Sequence, residues 1–165
     1  MIDSIRPQPK IQLRRAFLIG ALGGIAGSAA KLVGEAIIPP RKPGEEPPPA
    51  LVAEKVLQRS LSKNQKLVAT QIFHWTFGSV LGGVYSVLAE RYPQVTAGYG
   101  VVFGWVVMLL THESSLPALG VAPAPWNQGA KELISETITH GMYGAGTEAV
   151  RRWFVSRGDL KEAKV

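Results

Sequence analysis

The segment LVATQIFHWTFGSVLGGVYSVLA, residues 67 to 89, decides the fold because it contains no Asp, Glu, Lys or Arg. A helix needs about 20 mostly apolar residues to cross the hydrocarbon core of a bilayer. Residues 92 to 111 form a second uncharged run, and residues 16 to 30 form a third, which continues past Lys31 to Ile38. Soluble helices rarely contain such runs, so the sequence predicts an all-α membrane protein.

Each run is bounded by residues that end a helix or favour a membrane interface. Pro39 and Pro40 follow the first run. Glu90-Arg91-Tyr92-Pro93 follows the second, with charges, an interfacial aromatic ring and a proline. These boundaries predict transmembrane spans at about 16–38, 67–89 and 95–112.

A fourth segment, at about 129–153, is interrupted by charged residues. It crosses a bilayer only if these side chains face other helices, as intramembrane charges generally do. They are Lys131, Glu132, Glu136 and Glu148. With this segment included, the predicted fold is a four-helix transmembrane bundle, and the alternative has three spans with this segment on the surface. The transmembrane helical domain is then 16–153, between a basic cytoplasmic tail at 1–15 and a second cytoplasmic tail at 154–165.

The connection between the first two spans begins as an extended loop. The stretch RKPGEEPPP at 41–49 is too rich in proline and charge to continue the helix. The segment 51–61 then repeats apolar residues at helical spacing, with charged residues between them. This pattern predicts a short helix lying on the membrane surface, and a solvated loop helix fits the same pattern equally well.

Lysine and arginine positions predict the orientation, because cytoplasmic flanks of spans are enriched in both. One side holds Arg6, Lys10, Arg14, Arg15, Arg91, Arg151, Arg152, Arg157, Lys161 and Lys164. The other side holds Arg41, Lys42, Lys55, Arg59, Lys63 and Lys66. The bias places both termini in the cytoplasm and the chain in a bacterial inner membrane.

Charge and composition exclude several classes of protein. The chain has a net charge of +6 but no basic face with interleaved aromatic residues, so the sequence predicts no nucleic-acid binding. The absence of Cys excludes thiol catalysis and zinc-cysteine sites. A twin-arginine export signal at Arg14-Arg15 is a competing interpretation, but its cleaved product would retain two long apolar spans.

Small residues recur at the spacing that lets membrane helices approach closely. They are Gly20 with Gly24, Gly23 with Gly27, Gly78 with Gly82, Gly100 with Gly104, and Gly141 with Gly144. These faces predict a compact bundle in the lipid bilayer. They also suggest a homo-oligomer or a partner membrane protein as a further contact.

Titratable residues lie on the same helix faces as the glycines. With the predicted topology they fall in the outer half of the membrane, and all three histidines belong to spans. The predicted intramembrane cluster comprises Glu35, His74, His112, Glu136 and His140, with Lys31, Glu113 and Glu148 as secondary members.

Three interpretations of this cluster remain open. Buried His and Glu side chains can relay protons or handle a small solute. The same donors suit a divalent transition metal, although the sequence identifies no particular metal or cofactor. The cluster is equally consistent with interhelical hydrogen bonds that only fix the packing. No phosphate loop, nucleophile elbow or paired metal-binding histidines on one helix indicate an enzyme.

Several motifs together resemble the YagU-like family of uncharacterised bacterial inner-membrane proteins. They are KLVGEAIIPPR at 31–41, the stretch 74–93 ending in AERYP, Thr111-His112 with SLPALGV, Pro125-Trp126, Ser135-Glu136, and 140–148 with Arg151-Arg152. The resemblance implies a multi-pass inner-membrane protein without assigning a reaction. It also implies that Glu35, His74, His112, Glu136, His140 and Glu148 match the family's pattern. The chain departs from that pattern in a shorter, Cys-free connection between spans one and two.

Overall fold

The computed structural model describes residues 10–157, which are helical with short connections and contain no strand. The helices are α1 (Lys10–Ile37), α2 (Pro48–Leu57), α3 (Lys63–Arg91), α4 (Val101–Leu110), α5 (Leu116–Ala118) and α6 (Ala130–Ser156). The predicted tails at 1–15 and 154–165 lie mostly outside the described residues. Their described parts are helical, because α1 already begins at Lys10 and α6 continues to Ser156.

The four long segments run antiparallel in chain order. The central helix α1 packs against α3 on one side and α6 on the other, while α4 packs against α6 and α2 against α3. One end of the bundle, which we call the loop end, carries residues 38–62 and 111–129. The opposite end carries Arg91 and Arg151.

Three segments are long and apolar enough to cross a membrane: Leu13–Ile37, Lys63–Arg91 and Pro93–Ala118. The helix α6 is not among them. Many large apolar side chains point outward, including Leu18 at 64% exposure and Leu110 at 62%. An outward apolar surface of this kind is expected where helices face lipid.

The α1–α3 and α6–α4 contacts depend on glycines that face each other. A Cβ at Gly24 would collide with the carbonyl oxygen of Gly78, and one at Gly104 would collide with that of His140. The predicted close-approach faces are thus filled largely by helices of the same chain. Gly141 is less crowded, because a Cβ added there would lie 3.5 Å from its nearest neighbours. Association with a second copy or a partner stays a prediction and needs surface beyond these contacts.

Residues 93–118 differ from the continuous third span predicted at about 95–112. Residues Pro93–Gly100 form a 3-10 turn with a kink, where Gly98 and Gly100 have positive φ. Regular α-helix begins only at Val101, and a π-helical turn at Thr111–Ser115 follows it. The kink lets the backbone of Gly100 approach Gly144, where a Cβ would meet a carbonyl oxygen.

The short helix between the first two spans is α2, which begins and ends earlier than the predicted 51–61. Pro48 and Pro49 occupy its first turn, where proline is tolerated, and Gln58 ends it in a left-handed conformation. A capping box of Ser62 and Gln65 then starts α3. The position of α2 on the membrane surface stays a prediction.

Candidate functional site

Glu136 is the centre of a buried polar cluster near the loop end. It lies on α6, and only 2% of its surface is exposed. Its Oε2 accepts a hydrogen bond from the Nζ of Lys31 on α1, at 3.0 Å. Its Oε1 lies 3.6 Å from Nδ1 of His112 and 3.9 Å from the guanidinium of Arg41. Side chains from three segments around α6 therefore converge on one carboxylate.

Lys31 connects Glu136 to the second carboxylate of the cluster. Its ammonium lies 2.5 Å from Glu35, one turn along α1, and 3.3 Å from the hydroxyl of Thr139. With Arg41, the cluster holds two cations and two carboxylates. The formal charge is therefore zero when both histidines are neutral.

His112 occupies the π-helical turn that follows α4. Such turns are rare in proteins, and many of those that occur lie at functional sites. Hydroxyl groups of the turn donate to carbonyls of the preceding helix: Thr111 donates to Val107 at 2.7 Å, and Ser114 donates to Leu110 at 2.8 Å. The turn brings the His112 ring beside Glu136, with 21% of the side chain still exposed.

His140 lies one turn after Glu136 on α6 and is 3% exposed. Its Nδ1 is 2.8 Å from the backbone carbonyl of Glu136 and 3.2 Å from Oε2 of the same residue. Both are acceptors, so we assign the proton of neutral His140 to Nδ1 and leave Nε2 as an acceptor. The rings of His112 and His140 meet edge to face, with centroids 5.0 Å apart.

One nitrogen of His112, one nitrogen of His140 and one oxygen of Glu136 lie within 4.8 Å of one another. This donor set suits a divalent transition metal. Lys31 and Arg41 disfavour metal binding, because their positive charges already contact the carboxylate that would ligate the ion.

The other predicted site residues lie outside the contacts of Glu136. His74 faces the backbone carbonyl of Ser28 at 3.2 Å. Glu113 accepts from Gln128 at 3.3 Å through one oxygen, and its other oxygen has no partner among residues 10–157. Glu148 lies at the opposite end of the bundle.

Glu148 forms a second, separate cluster and is fully buried. It accepts hydrogen bonds from Tyr85 at 2.8 Å, from Arg151 at 2.7 and 3.0 Å, and from Arg152 at 2.7 Å. Arg151 also lies 3.3 Å from Glu90 on α3. These bonds fully pair the charge and join α6 to α3, which is typical of a structural role.

Aromatic rings fill the space between the two clusters. Phe103 of α4 contacts Tyr85, with centroids 4.5 Å apart, and Tyr143 at 6.3 Å. The hydroxyl of Tyr143 donates to the carbonyl of Gly78 at 2.7 Å. The Glu136 cluster is therefore separated from the Arg151 end by closely packed side chains.

Two cavities meet at the Glu136 cluster. The first, which we call the vestibule, has a volume of about 530 Å³, and charged residues of the loop end line it together with Glu136. The second, which we call the cleft, has a volume of about 300 Å³ and lies between α1, α3 and α4, with His74 and His140 in its wall. Arg41, Pro48 and His112 line both cavities.

Several partners in these clusters are not apparent from the sequence. Arg41 follows span one as a loop residue, and its contact Glu136 is 95 residues away in the chain. Tyr85 sits within an apolar run, so nothing local identifies it as a donor to Glu148. Arg151 and Arg152 serve the sequence prediction only as orientation signals, although their spacing of three and four residues from Glu148 is a usable signal.

Comparisons with known proteins identify relatives but no activity. The profile of a family described as "Protein of unknown function (DUF1440)" matches residues 25–149. The inner membrane protein YagU of Escherichia coli (strain K12) is 28% identical over 90 residues, which cover 51% of this chain and 44% of that protein. This chain thus matches less than half of that relative's length. No solved structure matches. The resemblance to YagU-like proteins is confirmed.

Proposed function

Because this chain belongs to the DUF1440 family, whose function is unknown, we propose its function from the site: it is a bacterial inner-membrane protein that handles protons, or a small solute or ion with them, at Glu136. The observation that carries the proposal is a carboxylate 2% exposed that contacts two histidines and an ammonium beside a cavity. Ionisable groups within a membrane domain generally mark transport paths.

The proposed topology has four spans, with α6 as the fourth. Its 27 residues extend about 40 Å at 1.5 Å per residue, enough to cross a bilayer. Contacts support this along α1: the hydroxyl of Ser135 donates to the carbonyl of Ile38, and Thr147 abuts Gly23. Of the four charged residues that interrupt this segment, Glu136 and Glu148 are buried against other helices, and Lys131 and Glu132 lie in the first turn of α6. The lysine and arginine bias then puts the loop end outside.

Reporter fusions test this topology. Fusions after Arg91 and after Arg157 should report the cytoplasm, whereas fusions near Gly44 and near Ala122 should report the outer side. A cytoplasmic signal near Ala122 would contradict four spans.

The proposed proton route begins in the vestibule. Of the two histidines in the cluster, His112 lines both cavities, and Glu136 lies 3.6 Å from it. A proton passes from water to His112 and then to Glu136, while His140 keeps its own proton on Nδ1 and holds the carboxylate in place. Charge balance gives the route a consequence: a proton on Glu136 leaves Lys31 and Arg41 in excess, so proton uptake favours an anion beside them.

Liposomes that contain the full chain test this function. Transport requires that the layer of Tyr85, Phe103 and Tyr143 opens toward the Arg151 end during the cycle. An imposed pH gradient should then collapse faster than in empty liposomes, and Glu136→Gln should slow the collapse because the amide keeps the shape but cannot ionise. The matched control is Glu132→Gln, since Glu132 lies one turn away on α6 and lines the vestibule. Equal rates for the two variants, or no collapse with the wild type, would refute proton transfer at Glu136.

A metal centre is a second candidate, because three ligand atoms lie within 4.8 Å. Elemental analysis of protein purified without chelator should then show near-stoichiometric transition metal, which His140→Ala removes and His74→Ala retains. A third interpretation is a structural or accessory subunit, whose cluster only fixes helix packing. In that case metal analysis and flux assay are blank, while the Glu136 and His140 variants lose stability.

A further inference from the structure

The vestibule and the cleft differ in chemistry although they share lining residues. Charged side chains, among them Lys42, Lys131 and Glu132, line the vestibule. Apolar side chains dominate the cleft: Phe73, Phe77 and Leu81 from α3 face Val107 and Leu116 across it. A polar chamber beside an apolar one matches a molecule with a charged head and a hydrocarbon chain.

The cleft lies where α3 and α4 diverge. Towards the Arg151 end, Tyr85 and Phe103 bring the two helices into contact, with ring centroids 4.5 Å apart. Towards the loop end, the cleft separates them. Phe73 and Phe77 stack with centroids 5.2 Å apart and remain 38% and 36% exposed. In a bilayer this gap faces lipid, so a chain can enter from the side without crossing water.

Two polar groups beside the cleft lack hydrogen-bond partners. Arg41 donates no hydrogen bond to any of residues 10–157, and its one ion pair, to Glu136, is 3.9 Å long. The hydroxyl oxygen of Thr70 is buried in the cleft wall, also without a hydrogen bond in the described part of the chain. A guanidinium with free donors matches a phosphate, which it binds through two parallel hydrogen bonds.

From these observations we propose that the chain binds one membrane phospholipid, with its phosphate on Arg41 and one acyl chain in the cleft. The cleft volume of about 300 Å³ falls in the range of ligand pockets, from roughly 300 to 1,000 Å³. The phosphate then lies at the loop end, which also carries Trp126, a residue that is 84% exposed and of a type that anchors at membrane interfaces. This site goes beyond proton handling at Glu136 and does not require it.

Photolabelling of the full chain in phosphatidylcholine vesicles tests the site. The probe is phosphatidylglycerol with a diazirine at the end of one acyl chain. A diacylglycerol with the same chains but no phosphate is the comparison probe. We expect the phospholipid probe to label the peptides that contain Phe73, Phe77 and Leu116 at least severalfold more than the diacylglycerol does.

Two variants and two matched controls separate specific binding from general lipid contact. Arg41→Ala should reduce cleft labelling severalfold, whereas Arg59→Ala, an exposed arginine that lines neither cavity, should not. Leu116→Trp should fill the cleft and abolish its labelling, whereas Leu110→Trp, on the lipid-facing side of α4, should not. Because Leu116→Trp keeps every charge, it tests the site even if Arg41→Ala unfolds.

Three results would overturn the proposal. Uniform labelling of all lipid-facing peptides would reveal only surrounding lipid. Equal labelling by both probes would show that the phosphate does not contribute to binding. Unchanged cleft labelling in Leu116→Trp would show that no chain lies there. Proton flux through Glu136 is measured separately, so its failure leaves this test intact.

Discussion

Replacement of Gly104 by alanine tests whether α4 lies against α6 as closely as described. A Cβ at Gly104 would overlap the carbonyl oxygen of His140 and lie 2.8 Å from its carbonyl carbon. These are backbone atoms of a neighbouring helix, which cannot rotate away as a side chain does. The helices must therefore separate. The matched substitution is Gly141→Ala on α6, where a Cβ would lie 3.5 Å from Trp105 and from Val101, at ordinary contact distance.

The expected magnitude follows from the difference between these two substitutions. Alanine is the better helix former by about 1 kcal/mol, but this gain applies to both positions and cancels. Overpacking costs about 1 to 3 kcal/mol, and a backbone clash belongs at the upper end. We therefore expect Gly104→Ala to be about 3 kcal/mol less stable than Gly141→Ala, or roughly 6 to 12 °C lower in Tm for a domain of this size.

Reversible unfolding in mixed micelles, titrated with a denaturing detergent, measures this difference. Gly141→Ala should unfold at or above the wild-type midpoint and Gly104→Ala clearly below it. If Gly104→Ala is as stable as Gly141→Ala, α4 does not approach α6 at this point. The position of His112 beside Glu136 would then be wrong as well, because the same approach creates it.

Three further predictions concern individual polar contacts. Lys31→Gln should cost about 3 to 5 kcal/mol of stability, because it leaves the buried charge of Glu136 with no cation closer than Arg41, at 3.9 Å, among residues 10–157, and the double variant with Glu136→Gln should recover part of that loss in the same titration. Tyr85→Phe should cost about 1.5 to 3 kcal/mol through the lost hydrogen bond to Glu148, whereas Tyr92→Phe, an exposed tyrosine, should have little effect. A hydrogen bond from the backbone N–H of Leu61, and to a smaller extent one from Lys66, hold the pKa of Glu54 below its ordinary value of 4.5. The contact therefore stabilises the folded chain above pH 4.5, and this stabilisation is lost as pH falls through the lower folded pKa. Hydrogen exchange at the Leu61 amide, corrected for its intrinsic rate, should accelerate in Glu54→Gln at neutral pH and in the wild type only in acid.

The sequence predicts the apolar segments well because a bilayer imposes a length and a composition that single residues reveal. It predicts their ends less well. Uncharged residues at 92–100 continue the apolar pattern, yet Gly98 and Gly100 adopt positive φ, and α4 starts only at Val101. The reason for this kink is the approach of Gly100 to Gly144, a contact between residues far apart in the chain. The local sequence contains no signal for such a contact.

The candidate site is predictable by residue type but not by grouping. His112, Glu136 and His140 converge, and Lys31 connects Glu35 to them, whereas His74 lies apart from the contacts of Glu136. A functional role of these residues stays a prediction. Glu148 shares a helix stripe with Glu136, but twelve residues of α6 separate them by about 18 Å, so they belong to opposite ends. Arg41 is a residue that the sequence prediction omits from the cluster. It is a loop residue, and the tertiary fold brings it to Glu136.

The position of Arg41 links the two proposals while keeping them distinguishable. Among residues 10–157, its guanidinium is held near Glu136 only by a 3.9 Å ion pair, so loss of the charge on Glu136 weakens that attraction. It is then freer to bind a phosphate at the junction of the vestibule and the cleft. If both sites exist, Glu136→Gln should show stronger phospholipid labelling than the wild type, because the amide carries no charge to attract Arg41. If labelling in Glu136→Gln stays at the wild-type level, Arg41 does not respond to the charge of Glu136, and the two sites function independently.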